Sequence, residues 1–97
     1  MGYKILVTPI AQTQFEEAIT YYLKVATANV ALNFSNVVEK AYSKLEINPH
    51  FQIRVKNYRA IPTEIFPYLI FFEILKEENI VKILSVFNTH QHPKKYP

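Results

Sequence analysis

Cysteine and tryptophan are absent from this chain of 97 residues, and Gly2 is its one glycine. Without cysteine there are no disulfides, thiolate zinc sites or cysteine nucleophiles, a composition that suits a reducing compartment. Without further glycine there is no Gly-rich loop to cradle phosphates, and no Ser, His and Asp stand in an order that suggests a triad, so nucleotide hydrolysis and triad chemistry are set aside. Long apolar runs are missing too: no segment reaches the roughly 20 residues that span a bilayer. Residues 1–8 have neither the apolar length nor the small-residue cleavage site of a signal peptide. The expectation is a cytoplasmic protein that does not enter a membrane.

What the chain does have is a large apolar share, 49%, with seven Tyr and seven Phe to supply buried area in place of Trp. That argues for an aromatic-rich core and against disorder. The length suits one domain over residues 1–97. Eleven Lys and Arg against eight Asp and Glu leave a formal charge of +3, a mild bias toward an acidic partner or nucleic acid. The acids Glu16, Glu17, Glu39 and Glu46 fall in the first half, whereas Arg54, Lys56, Arg59, Lys94 and Lys95 mark the middle and the end.

Residues 3–8 alternate as a strand should, and Pro9 ends the pairing. From Ala11 the period changes: Phe15, Ala18, Ile19, Tyr22 and Ala26 follow at helical spacing; Thr8 or Thr13 can cap the start, and Thr8 with Pro9 as first helical residue is the better pattern. Thr27, Ala28 and Asn29 interrupt the stripe, and Val30, Phe34, Val37, Val38, Ala41 and Leu45 resume it until Asn48-Pro49. Two helices joined so briefly must form an antiparallel hairpin. Residues 53–61 alternate apolar and basic up to Asn57 and then change parity, which predicts a turn or bulge there. Residues 68–75 are a nearly continuous β-favouring run, 76–79 are turn-like, and 80–87 read as the return strand of a hairpin. The fold class is α+β in the order β-α-α-β-β-β, a two-helix hairpin packed on a small antiparallel sheet whose other face is partly bare.

Chemistry concentrates in the tail. His90 and His92 stand at an i, i+2 spacing that puts both imidazoles on one side of an extended chain, as a metal site or an acid/base pair needs. No HExxH or other ligand motif accompanies them, and His50 is the only further histidine, so solvated tail histidines are preferred to a metal site. No cofactor is expected. Lys94, Lys95 and Tyr96 add donors able to steady a phosphate. Arg54, Lys56 and Arg59 form either a basic patch on the sheet or ordinary solvated charge. Glu73, inside the apolar run, is expected to pair with a base such as Lys82 across the hairpin.

The opening YKILVTPIAQTQFEEAITYY, the phrase LEINPH closing the second helix, NYRAI, the strand FPYLIFFEI and the final VKILSVFNTHQHPKKY resemble, in order and spacing, the RelE/ParE superfamily of toxins from type II toxin-antitoxin modules. The resemblance implies two helices on an antiparallel sheet and neutralisation by a cognate antitoxin, with a segment of that partner laid across the hairpin and sheet. Tyr22, Phe34, Tyr68, Phe87 and Lys94 are the candidate partner-binding residues, and a homodimer or a heteromer with antitoxin is expected. RelE-like members cleave messenger RNA on the ribosome; in such a nuclease the catalytic set here is Arg59, His90, His92, Lys95 and Tyr96. ParE-like members inhibit DNA gyrase by binding. Where the nucleases tend to read GYRLVY this chain has Phe66-Pro67-Tyr68, and where they end in HxRRxP it reads Asn88-Thr89-His90-Gln91-His92-Pro93. The missing arginines remove fixed positive charge from a phosphate site, and histidine restores only part of it at neutral pH. The resemblance therefore favours a ParE-like gyrase inhibitor over a nuclease, with a decayed toxin that only binds antitoxin as a third reading.

Overall fold

The computed structural model describes residues 2–97. Strand β1 (Lys4–Val7) leads into helices α1 (Pro9–Val25) and α2 (Ala28–Ile47), and strands β2 (Ile53–Val55), β3 (Tyr58–Pro62), β4 (Tyr68–Leu75) and β5 (Ile80–Asn88) complete a five-stranded sheet. The expected caps are in place. Thr8 Oγ1 accepts from the Ala11 N–H at 3.3 Å, with Pro9 in the first turn of α1. Thr27 Oγ1 does the same for the Val30 N–H at 3.2 Å at the start of α2, and Asn48 closes that helix. Each cap satisfies an amide that the helix itself leaves unpaired.

The two helices are anchored unequally. Helix α2 buries Ala31, Phe34, Val38, Ala41 and Leu45 on one stripe. Its three large members contribute on the order of 6 kcal/mol of gross burial, an upper bound against an extended chain. Helix α1 fully buries only Ala11 and Ala18, with Phe15, Ile19 and Tyr22 half-covered. It therefore depends more on side-chain contacts with α2 and β5 than on its own core face.

The strand order β1-β5-β4-β3-β2 departs from the expected sheet in two ways. First, β1 lies parallel to β5, in register from Lys4 opposite Ile80 to Val7 opposite Ile83, so the sheet is mostly rather than wholly antiparallel. Alternation of side chains marks a strand but carries no direction, and β1 takes the edge left open beside the last strand. Second, residues 53–61, expected to hold a turn or bulge with strand on either side, take the turn at Lys56 and Asn57 and form the hairpin β2–β3, with Val55 opposite Tyr58, so the sheet has five strands where the order β-α-α-β-β-β counts four. The turn is placed as expected, yet Lys56, not the asparagine, adopts the left-handed φ of 53°.

Alternate residues of the sheet face opposite ways. Ile61, Tyr68, Ile70, Phe72, Val81 and Ile83 meet the helices in the main core. Ala60, Leu69, Phe71 and Phe87 form a second, smaller cluster on the far face. The tail turns back over that cluster: Pro93–Lys95 make one 3₁₀ turn, and the Tyr96 ring lies 4.8 Å from Phe71 and 4.9 Å from Phe87. The face expected to be partly bare is thus partly covered by the chain's own end. No helix among the described residues is long and apolar enough to cross a membrane.

Candidate functional site

The phrase Phe66-Pro67-Tyr68 seats an aromatic cluster between the helical hairpin and the sheet. Phe34 lies 5.5 Å from Tyr22, 5.3 Å from Phe66 and 4.8 Å from Tyr68, ring centre to ring centre, and Tyr22 lies 5.3 Å from Phe66. The Tyr22 and Tyr68 rings lie edge to face, 6.5 Å apart. Burial raises the Tyr68 phenol to about 12, with the neighbouring Tyr22 phenol adding to the shift, so Tyr68 stays protonated at neutral pH. It is held as a core residue rather than as an acid or base.

Beside this cluster a cavity of about 260 Å³ opens between α1 and the end of β5, lined by Gln14, Glu17, Tyr21, Tyr68, Asn88 and Gln91. It exists because β1 stops short: Thr8 gives both its N–H (3.1 Å) and its hydroxyl (2.7 Å) to the Ile83 carbonyl, and the chain then leaves for α1. At that point β5 also bulges, its register against β4 slipping by one residue between Ile83 and Ser85. Gln14 stands in for the absent strand, since its Oε1 accepts from Val86 N–H at 2.8 Å and from the Ser85 hydroxyl at 2.9 Å. Neither Gln14 nor the bulge carries a sequence signal, because one polar helical position looks like another until the sheet is assembled.

The nuclease set does not converge. Arg59 sits opposite Phe72 and so points to the helix side of the sheet, where its guanidinium donates to the Phe51 carbonyl at 2.6 Å. Tyr96 packs on the opposite face. His90 and Lys95 are exposed in the tail, and His92 Nδ1 accepts from the Lys94 N–H at 3.1 Å as a local cap. His50 lies edge-on to Tyr3 at 6.4 Å. Among the described residues no group of three or more His, Cys, Asp or Glu is placed to hold a metal ion.

The partner-binding candidates divide between the two faces. Tyr22, Phe34 and Tyr68 belong to the helix-side cluster; Phe34 is wholly buried, Tyr68 nearly so, and Tyr22 alone of the three is substantially accessible. Phe87 is buried beneath Tyr96 on the far face, and Lys94 is exposed in the tail turn. Phe34 and Phe87 are therefore core residues, not contact surface: helical and strand periodicity mark which side is apolar but not which apolar residues are already covered. Glu73 and Lys82 do face each other across the hairpin as expected. They close no ion pair, since the pairs within 4 Å among the described residues are Lys40 with Glu64 at 3.1 Å and Lys44 with Glu64 at 3.3 Å.

A helical hairpin laid over a mostly antiparallel five-stranded sheet, with an aromatic cluster at their seam, defines a small α+β protein. The family model described as "ParE toxin of type II toxin-antitoxin system, parDE" matches residues 5–93, and the chain belongs to that family. No curated protein sequence matches. Among solved structures, a chain of the "chromosomal ParDE TA system from P. aeruginosa" superposes with a TM-score of 0.76 at 16% identity, over 89% of this chain and 95% of that one. At that identity the likeness speaks for the fold.

Proposed function

We propose that this chain is the toxin of a type II toxin-antitoxin module, that it acts in the cytoplasm by binding DNA gyrase, and that a cognate antitoxin neutralises it by direct contact. Membership of the ParE family supports the toxin role, and the two-component ParDE system of P. aeruginosa, to which the structurally similar chain belongs, supports an antitoxin as partner. The observation that carries binding over cleavage is the separation of Arg59 from Tyr96 onto opposite faces of the sheet, with the Arg59 guanidinium engaged by a backbone carbonyl. Phosphodiester cleavage needs its acid, its base and its charge-stabilising group within hydrogen-bond reach of one substrate. The supercoiling activity of purified gyrase, titrated with the purified chain, tests the reading: inhibition that grows with toxin concentration is expected. Full activity at a large molar excess, together with cleaved messenger on ribosomes, would replace this reading with the nuclease one.

A further inference from the structure

We propose that Ile65, at the tip of the loop joining β3 to β4, is the apolar anchor by which this chain engages its protein target, a surface with an apolar socket bordered by carboxylates. The inference rests on the reading of the chain as a toxin that acts by binding a protein.

Ile65 sits where its side chain is least at ease. The Phe66 N–H donates to the Glu64 carbonyl at 2.7 Å across it, and Ile65 between them has a φ of 58°. This is a three-residue turn of the less common, strained kind. A β-branched residue there crowds its own backbone, whereas glycine or asparagine accepts the conformation readily. Burial does not compensate, because Ile65 is 86% exposed, more than any other large hydrophobic among the described residues. Ile47, at 82%, lies in ordinary helical backbone and is one of the scattered exposed apolar residues that every protein surface carries. Ile65 combines exposure with strain, and neither the core nor the turn gains from isoleucine at this position.

The surroundings hold the tip rigid. Thr63, itself buried, donates its hydroxyl to the carbonyls of Phe66 at 3.0 Å and Tyr68 at 3.3 Å, and its N–H to Tyr68 again at 3.0 Å. The Phe66 ring is set among Tyr22 and Phe34. Glu64 is tied to α2 by Lys40 and Lys44. A projecting side chain on a pre-ordered loop loses little entropy on binding, which is the property of an anchor residue. The charge beside it indicates the partner. Two ammonium groups share a single carboxylate, so the rim of Ile65 keeps an excess of positive charge and complements an acidic border. Nucleic acid would use the lysines but has little use for an exposed isoleucine held at a strained turn.

The test separates strain from function with two substitutions. Ile65→Asn relieves the backbone and removes the anchor; Ile65→Leu keeps an apolar side chain of the same size. Each is expressed from an inducible promoter at matched soluble level, growth arrest is scored by surviving colonies, and the purified proteins are melted by circular dichroism. Ile65→Asn is expected to melt at a higher temperature than wild type yet to arrest growth about tenfold less, the scale on which an anchor residue weakens binding. Ile65→Leu is expected to arrest growth as wild type does. Undiminished arrest by Ile65→Asn overturns the proposal. So does arrest lost together with a lowered melting temperature, which would make Ile65 a folding residue, or a wild-type chain that arrests nothing. Arrest by wild type with supercoiling unaffected would instead dismiss gyrase as the target while leaving the anchor standing.

Discussion

Single tyrosines show how this small core handles polar groups. Tyr42 lies at the seam of the two helices beside Phe15 and Val38, where burial pushes its phenol up to about 12 from an ordinary value of 10.0. Tyr68 is raised to the same level. Because these folded-state values are above the unfolded ones, their contribution to stability is complete below pH 10 and is lost as pH rises toward 12, where the unfolded chain ionises first. Thermal unfolding followed from about pH 9 to about pH 12 should show a falling midpoint. Tyr42→Phe should blunt that fall, because it removes one of the two groups; an equally steep fall in the variant would mean that burial of Tyr42 is not its source. Glu64 shifts the other way. Hydrogen bonds from Lys40 and then Lys44 lower its pKa, so the clamp on the Ile65 loop holds above the usual carboxylate range and weakens in acid. Tyr22, Phe34 and Tyr68 were legible from sequence as aromatic residues on the packing side, but their accessibility was not, since it depends on Phe66 arriving from a loop far beyond Phe34 in the chain.

The strands and helices were readable wherever a local rule operates. Thr8-Pro9, Thr27 and Asn48-Pro49 set the helix ends through capping and the restrictions of proline, and the structure places the ends there. The hairpin of β4 and β5 follows from two β-favouring runs around a polar turn. Where no local rule applies, the element takes its form from its neighbours. The bulge in β5 is such a case: it falls where β1 leaves the sheet, and Gln14 of α1 supplies the acceptor that a longer β1 would have provided. Gln14→Ala should strand the Val86 N–H and the Ser85 hydroxyl, lowering stability by roughly 2 kcal/mol. The thermal midpoint should fall by roughly 10 °C for a domain of this size. Gln14→Glu, which keeps an acceptor, should cost less. Equal midpoints for wild type and Gln14→Ala would show that water replaces the side chain without loss.

At the scale of the whole molecule, the two faces of the sheet separate groups that the chemistry of a nuclease would bring together. The tail passes to the far face and docks Tyr96 there, while Arg59 faces the helices, so two members of the expected catalytic set end on opposite sides. Replacing His90, His92 and Lys95 together by alanine should accordingly leave gyrase inhibition at the wild-type level at equal concentration, for all three are exposed and none contributes to either core cluster. A loss of inhibition with an unchanged melting temperature would bring the tail back into the functional surface. The sequence by itself determined the α+β class, the helical hairpin, its caps and the β4–β5 hairpin, because periodicity, capping and proline act over a few residues and need no distant partner. Only the tertiary structure decided that β1 runs parallel to β5, that Phe34 and Phe87 are covered, that Arg59 and Tyr96 face apart, and that Ile65 is carried exposed on a strained turn. Each of these depends on what a distant segment occupies, and neither the direction of a strand nor the free space around a side chain is encoded in its local pattern.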